Sequence, residues 1–436
     1  MEDEIPFEVP EGWAWCKLND IYNFIDYRGA TPTKITNGIP LVTAKNVKSG
    51  YIDYTIDDYI SEEEFKERQQ RGISKKGDIL FTTEAPLGNA ALADMEKFSA
   101  GQRLITFQQY GSKNELINYV MLMFILSDFF QQQLYVNKTG STVAGIKAAI
   151  LKTLWIPVPP YNEQLRISNT LKSAINLIDS ISKNKEILST SISNTKSKIL
   201  DLAIRGKIVP QDPNDEPASV LLERIRAEKE ELIKQGKIKR DKKESVIFKG
   251  DDNSYYGIHL PDSWNWASLR EIALSISDGS HNPPPNNGSG IPLLSAANIN
   301  DNSILMNEIS RWITNEEWKI ENQRTNIEVG DVLLTIVGSI GRSAVVQNNN
   351  HFALQRSVAV IKPCLINPLY LMHIVQSPQI QKWLTDNSKG TAQKGIYLNA
   401  LSLMIIPIPP LAEQARIVEH IHIAYKHLDL ISNALL

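Results

Sequence analysis

A chain that states nearly the same sequence twice, about 250 residues apart, has to build one fold twice. Within 436 residues, Trp13, Trp15 and Leu18 return as Trp264, Trp266 and Leu269 at an offset of 251, and Ile39-Pro40-Leu41 with Asn46 returns as Ile291-Pro292-Leu293 with Asn298 at 252. Gly77-Asp78, Thr82, Gly88 and Gln102-Arg103 return as Gly330-Asp331, Thr335, Gly341 and Gln355-Arg356 at 253. Gly140, Gly145-Ile146, Leu151, Pro159-Pro160, Glu163-Gln164 and Arg166-Ile167 return as Gly390, Gly395-Ile396, Leu401, Pro409-Pro410, Glu413-Gln414 and Arg416-Ile417 at 250. Order and spacing are kept. A unit of this length is a whole domain plus a connector, not a solenoid repeat of roughly twenty to fifty residues. Two domains of one fold on one chain suit a target that itself has two similar parts.

A hydrophobic fraction of 42% supports ordinary globular cores and argues against disorder or fibre. Cys16 and Cys364 fall at unmatched places in the repeat, and two cysteines are too few for a disulfide framework or a cysteine zinc site. That usage points to the cytoplasm. The start, Met1-Glu2-Asp3-Glu4, is acidic where a secretory signal is basic and then apolar, and the longest apolar run, residues 119–126, is too short to span a bilayer. A formal charge of -3 is not the global signature of a nucleic-acid binder. Any such role must rest on local patches or on basic partners.

Residues 163–205 contain neither Gly nor Pro. Taken every third and fourth residue they read Leu171, Ala174, Ile178, Ile181, Lys185, Leu188, Ile192, Thr195, Ile199 and Leu202, with eight of the ten apolar. This sustained heptad predicts a helix that supercoils through one narrow stripe, a rod of roughly 65 Å, stopped by Gly206. A second helix is expected to open at Pro217, in the first-turn position proline tolerates, and to run through Val220, Leu221, Ile225 and Leu232 into the charged residues 237–243. The second copy repeats the seam as Ile421, Ala424, Leu428, Ile431 and Leu435, so the distal rod is short. The two seams can pair with each other or with a partner.

The segment Leu202-Ala203-Ile204-Arg205-Gly206-Lys207-Ile208-Val209-Pro210-Gln211-Asp212-Pro213-Asn214-Asp215-Glu216-Pro217-Ala218-Ser219 resembles the central conserved segment of type I restriction-modification specificity subunits. The paired Ile-Pro-x-Pro-Pro-x-x-Glu-Gln-x-Arg-Ile boxes at 156–167 and 406–417 carry the same resemblance. It implies an α+β chain with two mixed α/β target-recognition domains, residues 1–158 and 251–408, each reading one half of a bipartite asymmetric DNA site. It also implies a central helical region, 159–250, and a short distal helix, 409–436, the long helices forming an antiparallel coiled-coil spacer. Partners implied are double-stranded DNA, two methyltransferase subunits and restriction/translocase subunits. S-adenosylmethionine, ATP and magnesium are expected on those partners and no cofactor on this chain. The same resemblance extends to specificity subunits serving a fused methyltransferase-nuclease, and the charge of -3 keeps a protein-binding coiled-coil scaffold as an alternative.

Several motifs come close to catalytic ones. Asn282-Pro283-Pro284-Pro285 resembles the loop with which amino-methyltransferases grip a flipped base, but proline replaces the stacking aromatic and no Gly-rich cofactor loop accompanies it. Val158-Pro159-Pro160-Tyr161 has the aromatic without the amide. Residues 140–145 have phosphate-loop glycine spacing, yet Ile146-Lys147 follows where Lys and then Ser or Thr is needed. His420 and His422, two apart on a helix, face different ways, and His427 does not complete a metal site. A non-catalytic recognition subunit is the expectation.

The repeat itself selects DNA-contact candidates. Positions identical in the copies should be framework or phosphate contacts, and differing positions in matching loops should include base readers. The loop with Arg28, Thr31 and Lys34 answers to Ser280, His281 and Asn282; stiffened by Gly and Pro, such loops present hydrogen bonds at low entropic cost, or are ordinary turns. The Gly-rich loops with Lys138, Ser141 and Thr142, and with Lys389, Thr391 and Lys394, pair cations with backbone amides in a manner suited to phosphate. Asn89 against Arg342 is a substitution able to change the favoured base. Gln102-Arg103 and Gln355-Arg356 suit phosphate, a base edge or an internal polar network. Lys45 and Lys147 complete the set.

Overall fold

The computed structural model describes residues 6–27, 31–55, 57–110, 116–140, 144–240, 254–390 and 394–435. The chain divides into two compact units, Met1–Ser182 and Lys183–Leu436. Each contains one copy of the repeat. The division falls inside a single helix, α1 (Tyr161–Ile204), of 44 residues and about 66 Å.

In the first unit an antiparallel sheet runs in the order Tyr22–Asp26, Leu104–Gln109, Ile79–Thr82, Ala90–Leu92. Beside it, Ile39–Val42 pairs antiparallel with Tyr59–Ile60 and parallel with Ser99–Ala100. Ala14–Lys17 pairs with Trp155–Val158 and so brings the start of the copy to its end. Every residue of Ile79–Thr82 is buried, as a strand covered on both faces requires. The helices Asn118–Ile125 and Asp128–Val136 cover one face, through Met121, Phe130 and Leu134 against Phe81 and Phe107.

The second unit repeats this plan. Ala273–Asp278, Val358–Pro363, Val332–Thr335 and Ser343–Val345 form the four-stranded sheet; Trp312–Ile313, Ile291–Leu294 and Ala353–Leu354 form the three-stranded one; Asn265–Ser268 pairs with Ile405–Ile408. Its core is larger, because Leu200, Ala203 and Ile204 of α1, Leu221, Leu222 and Ile225 of α2 (Ala218–Lys234), and Ile417 and Ile421 of α3 (Leu411–Asn433) all join it. The repeated polar residues have shared structural duties. Asn46 accepts from the Thr43 amide and donates to Asp53 O, and Asn298 does the same with Ser295 and Glu308. Asp78 and Asp331 cap turns through the Lys75 and Glu328 amides. Gly88 and Gly341 sit at φ 93° and 100°, where Gln131 and Gln381 donate to their carbonyls and leave no room for a Cβ.

Three expectations are corrected. Pro217 is the cap before α2 rather than its first helical residue, and α2 ends at Lys234, with residues 241–250 outside the described set. The heptad seam of α1 is not buried throughout: Ile178 and Ile181 are 60% and 58% exposed, whereas Ile192 and Leu200 are covered. From Leu200 to Ile204 the buried face is 200, 203 and 204, with Leu202 half-buried, because the helix there enters a globular core instead of following one seam. In that region α1 does pair within the chain. Lys196 bridges Asp429 and lies over the Tyr425 ring, and Gln211, past the end of α1, meets Glu413, so α1 and α3 run antiparallel.

The third correction concerns register. Thr82 pairs with Leu104, and Thr335 with Val358; Val42 pairs with Ala100, and Leu294 with Leu354. Between these fixed points lie Gly101-Gln102-Arg103 in one copy and Gln355-Arg356-Ser357 in the other. The Gln-Arg dipeptides that match by letter are therefore one position apart in space. The displaced residue comes from the preceding connection, residues 93–98 in the first copy and 346–352 in the second.

Candidate nucleic-acid interface

At one end of the first four-stranded sheet three loops are stapled together by backbone hydrogen bonds. The turn 101–103 closes by Leu104 N donating to Gly101 O, at 3.1 Å, and receives the Thr83 amide on Arg103 O, also at 3.1 Å. The Gly-rich loop closes on itself through reciprocal Thr139 and Gly145 bonds of 2.8 and 3.0 Å, and Ile146 N donates to Thr83 O. Gly145 also forms a bridge with Glu84. Onto this framework Thr31 Oγ1 donates to Gln102 Oε1 at 2.9 Å, and Arg103 Nε lies 3.1 Å from Glu84 Oε1 with both side chains about half exposed. A guanidinium and a carboxylate thus stand side by side on an exposed tip.

The second unit builds the same staple. Val358 N donates to Gln355 O, Lys389 and Gly395 exchange bonds of 2.8 and 2.9 Å, Ile396 N donates to Ile336 O, and Gly395 bridges Val337. The side chains differ. Val337 occupies the place of Glu84, Ser357 that of Arg103 and Arg356 that of Gln102. Ser357 Oγ accepts from the Ala296 amide at 3.0 Å, and a cleft of about 380 Å³ opens among Ser295, Ala297, Val337, Ser339 and Arg356.

The family of the type I restriction modification DNA specificity domain matches residues 10–189 and 261–435. The chain belongs to this family. It is 23% identical to the type I restriction enzyme EcoBI specificity subunit of Escherichia coli, across 97% of this chain and 81% of that protein. It is 34% identical to the EcoAI specificity subunit of Escherichia coli over 52% of this chain and 38% of that protein. Among solved structures it resembles the HsdS subunit from Thermoanaerobacter tengcongensis, at 18% identity and a TM-score of 0.54, covering 98% and 93% of the two chains. A chain from work on complex assembly and conformational transition of the type I R-M system superposes with a TM-score of 0.61 at 18% identity, covering 99% and 94%. The protein is thus a type I specificity subunit with two target-recognition domains of α+β fold.

The candidate contacts of this specificity subunit separate into three groups. Arg103, Lys138 and Lys147 in the first domain, and Arg356, Lys389 and Lys394 in the second, are exposed on or beside the stapled loops. Lys138 lies over the Tyr135 ring at 4.7 Å, and Gly338 N donates to Lys394 O. Another group is turned to internal work. Asn89 donates to Val47 O at 3.0 Å, Ser280 is buried with its amide on Leu354 O and its carbonyl accepting from Arg356 N, and Lys34 pairs with Asp58 at 2.6 Å. His281 lies 2.9 Å from the Asp278 carboxylate that also holds Arg324. Thr31 spends its hydroxyl on Gln102, whereas Lys45, Asn282 and Arg342 are exposed, Arg342 in the field of Asp301. Arg28, Ser141, Thr142 and Thr391 lie outside the described residues.

Glu84 was missed by the residue-level reading. Its signal was available: at the offset of 253 that holds across this hairpin it faces Val337, a charge difference inside matching loops. Among the described residues no group of three or more His, Cys, Asp or Glu is arranged to hold a metal, and no helix is long and apolar enough to cross a membrane.

Proposed function

We propose that each domain reads one half of a bipartite, asymmetric DNA site through its stapled loops, and that the chain is itself non-catalytic. It directs partner subunits to the site. Two methyltransferase subunits and, when present, restriction/translocase subunits bring the S-adenosylmethionine, ATP and magnesium chemistry. The observation that carries this reading is the same three-loop framework built twice with different side chains on it, since a common scaffold positions and variable groups specify. Exchanging residues 1–155 for the matching domain of another specificity subunit should change one half of the methylated motif and leave the other intact. A change in both halves would sink independent reading.

Lys138 and Lys389 are both exposed on the closed Gly-rich loop of their domain, Lys389 at the place of Thr139 and Lys138 one residue earlier, and a flexible point charge of this kind suits a contact that carries no letter. Replacing either with Ala should weaken DNA binding about equally across sequences and lower the slope of log affinity against log salt by about one unit. An altered motif with unchanged affinity would reverse these roles.

A further inference from the structure

The two tip arginines invite reading as one duplicated phosphate contact. The register does not allow it. A phosphate contact shared by two copies of a scaffold keeps its place on the scaffold, because the sugar-phosphate backbone presents the same geometry to each. Here the turn is shared, with Leu104 N on Gly101 O matching Val358 N on Gln355 O, but Arg103 is its third residue and Arg356 its second. Successive turn positions send their side chains off in different directions. The surroundings differ as well: Arg103 stands 3.1 Å from Glu84, while Arg356 makes no side-chain ion pair among the described residues and has Val337 where the carboxylate would be.

A carboxylate beside a guanidinium opposes the approach of a phosphate, which carries the same sign. It suits a base edge. In the major groove guanine offers O6 and N7 to arginine, and cytosine offers its N4 amino protons to a carboxylate. An arginine beside valine offers a bidentate donor together with an apolar surface, the pairing that guanine and a neighbouring thymine methyl accept. Exposed ion pairs contribute little to stability, so holding the fold together is a weak reason for Glu84 to stand there.

We propose that Arg103 and Arg356 are specificity-determining residues, each for its own half-site, and that Glu84 is a positioning residue which aims Arg103 and turns it away from phosphate. This rests on the DNA-reading function proposed above. In the first half-site the pair takes a position presenting both acceptor and amino groups. In the second, Arg356 takes guanine with Val337 against a methyl group.

The test uses the full chain with its methyltransferase, binding to duplexes carrying the methylated motif and every single-position variant of it, at several salt concentrations. Arg103→Ala should reduce discrimination about tenfold or more at one position of the first half-site only, and Arg356→Ala likewise in the second. Glu84→Val should relax the same first-half position as Arg103→Ala while raising affinity for unrelated DNA and steepening its salt slope by about one unit, as a released cation would. Glu84→Gln, which keeps an acceptor, should recover part of the lost discrimination; a merely structural glutamate would not move that profile. Uniform weakening across all duplexes by both arginine variants, with each salt slope lower by about one unit, would overturn the proposal in favour of a duplicated phosphate contact. Absence of salt-dependent DNA binding by the wild-type complex would instead sink the proposed function itself, and this inference with it.

Discussion

Gln164 and Gln414 make the same two hydrogen bonds in the two copies, whereas the residues just before them, Glu163 and Glu413, live in different surroundings. Gln164 Oε1 accepts from Ile117 N and its Nε2 donates to Pro159 O; Gln414 does the same with Asn367 N and Pro409 O. Each glutamine ties the first turn of a long helix to its own domain. Glu413 is fully buried and accepts from Trp264 Nε1 at 2.9 Å and Gln211 Nε2 at 2.6 Å. Glu163 is partly exposed, and Trp13 Nε1, the counterpart of Trp264, has no acceptor among the described residues. A repeated residue does the same work when all of its partners lie inside the repeat. It does different work when the partner comes from a segment beside one copy alone, as Gln211 does.

The two halves of α1 offer the largest test of that rule. Leu200 is 4% exposed in the second unit's core, and Ile181 is 58% exposed, although one helix carries both. Leu200→Ala should cost about 2–5 kcal/mol, by lost transfer free energy and the cavity left behind. Ile181→Ala should stay within about 0.5 kcal/mol. Denaturant midpoints for the isolated chain decide it; equal losses would mean that the stripe around Ile181 is covered in solution.

Acid should separate the copies next. His373 is 7% exposed, on the helix Pro368–Val375, and burial, reinforced by the neighbouring His422, brings its pKa down to about 4, with a hydrogen bond involving Gln376 opposing. Met123 occupies the matching place in the first copy. Since the folded value lies below the unfolded one of 6.5, the contribution is complete above pH 6.5 and is lost as pH falls through about 4. The loss is on the order of 3 kcal/mol. Thermal melts of His373→Met across that window should show a flatter pH dependence than wild type, and an unchanged curve would acquit the histidine.

Much of this was legible in the sequence because the repeat compares the chain with itself. Residues held by local partners, such as Asn46 and Asp78, come out correctly as framework. Three features did not, and all depend on remote strands or neighbours. The one-residue displacement of Arg103 against Arg356 hides behind matching dipeptides, because pairing with Thr82 and Thr335, not spelling, sets the register. The α1 heptad continues through Ile181 into Ile192, yet only the presence of α3 and the second core decides which part is buried. Likewise Asn89 reads as a polar loop residue, and its amide is taken by Val47, more than forty residues away in sequence.

The smallest effect returns to the glutamates. Glu413→Ala removes the acceptor of both Trp264 and Gln211 in a buried place, which should destabilise the second unit by about 1–3 kcal/mol. Glu163→Ala should change little, within about 0.5 kcal/mol. The pH dependence sharpens the contrast. Burial raises the Glu413 pKa, against the opposing hydrogen bonds from Trp264 and Gln211. A carboxyl whose folded value is raised contributes most below its unfolded value of 4.5, and that contribution declines as pH rises through the folded value. The gap between wild type and Glu413→Ala should therefore widen as pH falls from neutral toward 4.5, while the His373 contribution, common to both proteins, cancels. A gap that narrows over that range, or a Glu163→Ala loss as large as that of Glu413→Ala, would show that the two glutamates share a role that their neighbours do not reveal.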